Sequence, residues 1–356
     1  MHPRSGTKKV RLALALSALM IFVGEILAGF LIDRAPLEIR YPDATRIMRT
    51  SRKDGTPPDI IFFGGSRFQS QIDAETIERE LARTTNSRPP FVFNAGISFG
   101  EPVVFNFLAA RLLDARVRPA IAVIEVSPET VSRRNIALDV HLTRQFTWAE
   151  ALESLTDAAY SRGISRLLST RLIPVYLFRH EFRRWASEGS GLQSLFCCPA
   201  GATTPSPQAQ PDRVAEQPLA ERLKAGAKVT RYRLSYFKVG GLSARALERL
   251  LERYQSLGVT TILLGVPISS PSRAEYLPAI DAEFLAYMQQ LREIYGAYFV
   301  DYRDRVPDEL FGSAYYTTIQ GKMYVSRLLT HEVLAPLWQN RGAKTNALGT
   351  QSDARR

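Results

Sequence analysis

Two patterns of apolar and polar positions run along the chain. The first is one long apolar run, residues 12–32, interrupted by a single charge, Glu25. Such a run is long enough to cross a bilayer core as a helix. The second begins after a juxtamembrane linker, 33–58, that ends in Gly55-Thr56-Pro57-Pro58. Short apolar runs at 59–63, 91–94, 120–126, 260–266 and 297–301 predict strands. Mixed polar–apolar segments near 73–84, 103–115, 242–257, 280–295 and 319–337 predict helices between them, with Asp73 as an N-cap. Continuous apolar strands alternating with helices predict a three-layer α/β domain, its parallel sheet covered on both faces.

The rhythm breaks over 130–240, which predicts a mostly helical insertion. Within it, 162–185 mixes Leu, Ile, Phe and Tyr with Arg162, Arg166, Arg171, Arg179, Arg183 and Arg184. That mixture describes either a solvated helical face or a basic surface resting on anionic lipid or polymer. Residues 199–218 are rich in Pro, Ala, Thr, Ser and Gln and predict a flexible loop. The organisation is a basic N-terminus (1–11), an anchor (12–32), the linker, one α/β domain (59–338) and a disordered tail (339–356).

Charge sharpens this picture. The net +11 is uneven: residues 1–34 hold five basic groups against two acidic, and 339–356 hold four against one. The excess flanks an apolar segment and sits in a tail, so a nucleic-acid groove is not implied. Arg4, Lys8, Lys9 and Arg11 precede the run, which puts the N-terminus in the cytoplasm and the domain outside it. The rival is a cleaved signal peptide. Its best cleavage site, Ile26-Leu27-Ala28, has Ile where a small residue is wanted, which favours an uncleaved anchor in the cytoplasmic membrane. Glu25 is costly in lipid; it is either tolerated in the outer half of the span or met by another membrane protein.

The only two cysteines, Cys197 and Cys198, are adjacent and form neither a disulfide scaffold nor a four-ligand zinc site. His2, His141, His180 and His331 show no metal-binding spacing. No metal or cofactor is expected, and neither GxGxxG nor GxxxxGK[ST] occurs.

In open parallel sheets, ligands bind beyond the C-terminal strand ends. Three polar clusters fall there: Gly64-Gly65-Ser66-Arg67, Asn94-Ala95-Gly96-Ile97-Ser98-Phe99-Gly100 and Glu125-Val126-Ser127-Pro128. Ser66, on a glycine turn entering a helix, either exposes its hydroxyl beside N–H groups that suit an oxyanion or serves as an N-cap. These blocks, continued by the run from Gly258 to Pro267 and by Tyr298-Phe299-Val300-Asp301, resemble the SGNH (GDSL-like) hydrolase superfamily. They look most like its membrane-anchored branch of DltD-type and alginate O-acetylation proteins.

The resemblance implies a flavodoxin-like sheet and an extracytoplasmic domain beside a membrane-bound O-acyltransferase. Its implied chemistry is acyl-ester hydrolysis or O-acyl transfer on an envelope polysaccharide. Ser66 matches the nucleophile; Gly96 or Gly100 matches the oxyanion glycine; Ser127 falls near the oxyanion Asn. Gly65 and Asn94 complete the candidate oxyanion and substrate-binding set.

The fourth block departs from the family's Asp-x-x-His. Aligned on Leu310-Phe311 and Gly321, Ser313 takes the Asp place and Tyr316 the His place. A phenol, titrating near pH ~10, is a poor general base at neutral pH. Either a base comes from elsewhere, with His141 the candidate and His331 structural, or a residual activity survives without one, or the domain is a non-catalytic accessory. Such an accessory binds an acylated glycan or the acyltransferase.

Overall fold

A computed structural model of the chain describes residues 4–34, 41–85, 89–134, 173–177 and 217–340. The chain divides into two compact units, Met1–Thr45 with Ile136–Gln208 and Arg46–Asn135 with Ala209–Arg356. His141, Cys197, Cys198, most of the predicted insertion and the tail lie outside the described residues.

In chain order the elements are α1 (Arg4–Arg34), α2 (Pro42–Thr50), β1 (Ile60–Phe63), α3 (Ser66–Gln71), α4 (Ala74–Thr85), β2 (Val92–Asn94), α5 (Pro102–Asp114), β3 (Ile121–Val126) and α6 (Pro128–Val131). Then follow α7 (Pro174–Leu177), α8 (Leu219–Leu234), α9 (Gly241–Ser256), β4 (Thr260–Gly265), α10 (Ser270–Arg273), α11 (Pro278–Tyr295), β5 (Tyr298–Asp301) and α12 (Ile319–Leu329).

The first unit contains α1. Its stretch Lys9–Leu31 is long and apolar enough to cross a membrane. Leu12, Leu14, Leu16, Leu19, Met20 and Ile21 are all exposed on it. A helix apolar on nearly every side and buried on almost none has the composition of a membrane-crossing or signal segment.

The second unit is built on a five-stranded, all-parallel sheet of order β2-β1-β3-β4-β5. Successive side chains of a strand point to opposite faces. Ile60, Phe62, Ile121, Val123, Ile262 and Leu264 therefore share one face, packed with Phe68, Ile77, Leu81, Val325 and Leu329 of α3, α4 and α12. Ile61, Phe63, Ala122, Ile124 and Leu263 are equally buried on the other. There Phe63 meets Tyr254 of α9, and Phe299 of β5 meets Phe284 of α11. Both faces are covered, as the apolar runs require.

The predicted strands and four of the five predicted helices appear within a few residues of their expected bounds; the last, expected over 319–337, is α12 continued by a π-helical turn, Thr330–Leu334, and a further helical stretch over 335–340. Asp73 caps α4 as expected: its Oδ2 accepts the Thr76 N–H at 3.0 Å. Three features are additional. The linker carries α2, the Ser66 turn opens a separate short helix α3, and the end of the insertion, α8, belongs to the sheet unit. α8 lies so close to the fourth block that a Cβ on Gly226 would overlap the Cβ of Ala314. Gly226→Ala is expected to lower stability by about 1–3 kcal/mol through overpacking, read as a lower urea midpoint for the full chain in detergent.

Candidate functional site

The strand order reverses at β1, which has β2 on one side and β3 on the other. Beyond that point the chain makes the Gly64–Gly65 turn. The Gly65 N–H donates to Glu125 Oε2 of β3 at 2.7 Å. A Cβ on Gly65 would stand 3.1 Å from the Gly100 carbonyl, so the second polar cluster closes tightly over the turn. Ser66 follows as the first residue of α3, half-buried.

The Ser66 hydroxyl shares a hydrogen bond with the Tyr316 phenol, Oγ to Oη 2.9 Å. Tyr316 is 43% exposed, so the pair sits at the surface. The residue that alignment puts in the histidine place is thus the one that meets Ser66. Ser313, in the aspartate place, lies in the same tight turn: its N–H donates to the Tyr316 carbonyl at 3.2 Å, and its carbonyl accepts the Tyr316 N–H at 3.3 Å.

This turn is bound to α3 from both sides. Buried Gln71 donates from Nε2 to the carbonyls of Tyr315 and Pro267, each at 2.9 Å. The Thr317 hydroxyl donates to the Ser70 carbonyl at 2.7 Å. Arg222 of α8 donates to the Gly312 carbonyl at 2.5 Å. Tyr315 points inward and hydrogen-bonds Thr230, which leaves its neighbour Tyr316 facing out.

Behind Ser66 lies a charge cluster. Arg67, only 6% exposed, stands 3.4 Å from Glu129 and 3.8 Å from Glu125, with its guanidinium 4.6 Å from the Tyr315 ring centre. Its Nη1 has no hydrogen-bond partner among the described residues. The Tyr276 hydroxyl donates to Glu129 Oε2 at 2.8 Å.

Burial opposes the charge on Arg67, but Glu129 and Glu125 outweigh it and shift its pKa upward. Burial pushes the Glu125 carboxyl up, and the longer contact to Arg67 and the Gly65 N–H offset only part of this. Burial acts on Glu129 in the same sense, but Arg67, with hydrogen bonds including the Tyr276 O–H, reverses it and holds that carboxyl below its ordinary range. Burial first, then Glu129, hold the Tyr276 phenol well above its usual value.

The other expected site residues are engaged in holding the loops. Asn94 donates to the carbonyls of Phe68 and Ile72 at 3.0 and 3.1 Å. Its Oδ1 accepts the Gly96 N–H at 2.9 Å. The Gly100 N–H donates to the Ile97 carbonyl at 2.8 Å. The amides of Gly65, Gly96 and Gly100 are therefore already committed, and an oxyanion would have to displace an existing bond to use any of them. Ser127 caps α6 in a capping box with Thr130. His331 Nε2 lies 3.6 Å from Glu80 rather than beside Ser66.

Sequence reasoning passed over Arg67, Gln71, Glu129, Tyr276 and Tyr315. The available signal was Glu125, the one charge in an otherwise apolar strand. Among the described residues, no group of three His, Cys, Asp or Glu side chains is placed to hold a metal ion.

No protein-family model matches the chain, and no curated protein matches it either.

The cluster predicts a defined stability pattern. Arg67→Ala leaves two buried carboxylates uncompensated and is expected to cost about 3–5 kcal/mol in urea unfolding. Glu129 has a lowered folded-state pKa. Its contribution is present above the ordinary value of 4.5 and is lost as pH falls from there through the lower folded value. Glu129→Gln is therefore expected to lower stability at neutral pH and to flatten the acid side of the pH–stability curve.

Proposed function

We propose that this is a membrane-anchored SGNH-like protein whose cleft binds an acylated envelope polysaccharide without imidazole-driven acyl transfer. The observation that carries this reading is the hydrogen bond between Ser66 and Tyr316. In the superfamily the matching position supplies the imidazole that takes the serine proton. A phenol in that place orients the hydroxyl but is poorly suited to accept its proton at neutral pH. The sheet order 2-1-3-4-5, with the serine turn at the β1/β3 switch point, is the flavodoxin-like arrangement the resemblance implies. Two hydroxyls beside an exposed aromatic ring suit a polyhydroxylated, ester-bearing ligand. The basic residues ahead of α1 support an N-terminus in the cytoplasm and a domain outside it.

The second reading is an acyl-ester hydrolase or O-acyltransferase. It is favoured by one feature, the half-exposed Ser66 on its glycine turn, with His141 supplying the base.

A fluorophosphonate probe on the full chain in detergent separates the two. The wild type is expected to stay unlabelled, and Ser313→Asp/Tyr316→His to gain labelling that Ser66→Ala removes. Wild-type labelling lost in Ser66→Ala would instead establish an activated serine and overturn the binding reading.

Binding gives a second check. An O-acetylated polysaccharide is expected to bind better than its deacetylated form. Tyr316→Phe is expected to weaken that binding about 2–10-fold, the equivalent of one neutral hydrogen bond.

A further inference from the structure

In the unit that carries α1, one hydrogen bond joins positions 150 residues apart: the Val175 N–H donates to Glu25 Oε2 at 3.3 Å. The depth of this contact follows from helix geometry. At about 1.5 Å per residue, Lys9–Leu31 extends for roughly 34 Å, close to the ~30 Å of a hydrocarbon core. Glu25 is six residues before Leu31, hence about 9 Å inside that end. Val175, one hydrogen bond away, sits at a similar depth.

The chemistry of α7 suits that depth. Backbone N–H groups are costly in lipid unless paired. α7 begins with Pro174, which has no N–H to satisfy. The next N–H, that of Val175, is taken by Glu25. Around these, Ile173 and Val175 are 48% and 44% exposed within a unit whose helix α1 is itself exposed and apolar. In the sequence, 172–178 is an apolar run bracketed by Arg171 and Arg179.

We infer that residues 173–177 dip into the bilayer leaflet at the Leu31 end of α1, with Ile173 and Val175 against acyl chains. Glu25 is then satisfied from within the chain and needs no other membrane protein. The occupant of this apolar surface is lipid, because the surface continues that of the spanning helix. The inference rests on α1 being an uncleaved span and is independent of the chemistry at Ser66.

The test is spin-label depth measurement on the full chain in phosphatidylethanolamine–phosphatidylglycerol vesicles, with Cys197 and Cys198 replaced by serine. Labels are placed singly by Leu27→Cys, Val175→Cys and Tyr236→Cys. Positions 27 and 175 are expected to collide with oxygen and to be shielded from a water-soluble nickel chelate, with position 236 the reverse. Adding Glu25→Leu is expected to shift position 175 toward water and leave position 27 unchanged. If position 27 is in lipid and position 175 is reached by nickel, the inference fails and the anchor stands. If position 27 is itself reached by nickel, the anchor fails and the inference with it. An unchanged depth at 175 in Glu25→Leu would overturn the role given to the carboxylate.

Discussion

The guanidinium of Arg67, buried beyond the C-terminal edge of the sheet, faces two carboxylates that would be uncompensated without it. Glu125 comes from the end of β3 and Glu129 from the helix that follows. A buried charge of this kind is tolerated only when paired and hydrogen-bonded. Each partner therefore brings its own loop into place. Glu125 takes the Gly65 amide and so sets the turn that presents Ser66. Glu129 takes the Tyr276 hydroxyl, and the Tyr315 ring lies against the guanidinium. With Tyr315 fixed inward, Tyr316 is left on the outer side, at hydrogen-bond distance from Ser66. The surface pair is thus a consequence of the buried one.

Under the proposed SGNH-like reading, this arrangement keeps the serine turn of an acyl-transfer site and changes its proton chemistry. The serine stands on a glycine turn at the switch point of a parallel sheet. Its partner is a hydroxyl, which both donates and accepts. Of the amides around the turn, those of Gly65, Gly96 and Gly100 are already engaged by Glu125, Asn94 and Ile97. On the proposed reading, the Ser66–Tyr316 pair would hold an ester-bearing ligand in a fixed pose. It is less well made for stabilising charge that appears during a reaction, which requires donors already aimed and unengaged.

The span proposed for α1 would follow a different rule. Water organises the sheet unit by burying apolar faces, whereas in lipid the pairing of polar groups decides what is allowed. Under that proposal Glu25 and the Val175 N–H, hydrogen-bonded at 3.3 Å, are each expensive alone in hydrocarbon and acceptable together.

Much of the fold was legible in the sequence. Strands covered on both faces must be apolar at every position, so β1, β3 and β4 stand out as uninterrupted runs. The long apolar helix α1 is visible as one uninterrupted run, and the Asp73 cap because capping is local. Tyr316, which aligning on Leu310-Phe311 and Gly321 puts in the histidine place of the resemblance, meets Ser66 in the structure. The Arg67–Glu125–Glu129 cluster was not legible, because Arg67 lies about 60 residues from both carboxylates and nothing in its neighbourhood marks them as its partners. Nor were the engaged amides of Gly96 and Gly100, whose partners depend on how a loop closes. Periodicity and capping are short-range and are written into any stretch of chain. Which charge neutralises which, and which N–H is left unspent, is decided only when the folded backbone brings distant residues to within 3–4 Å.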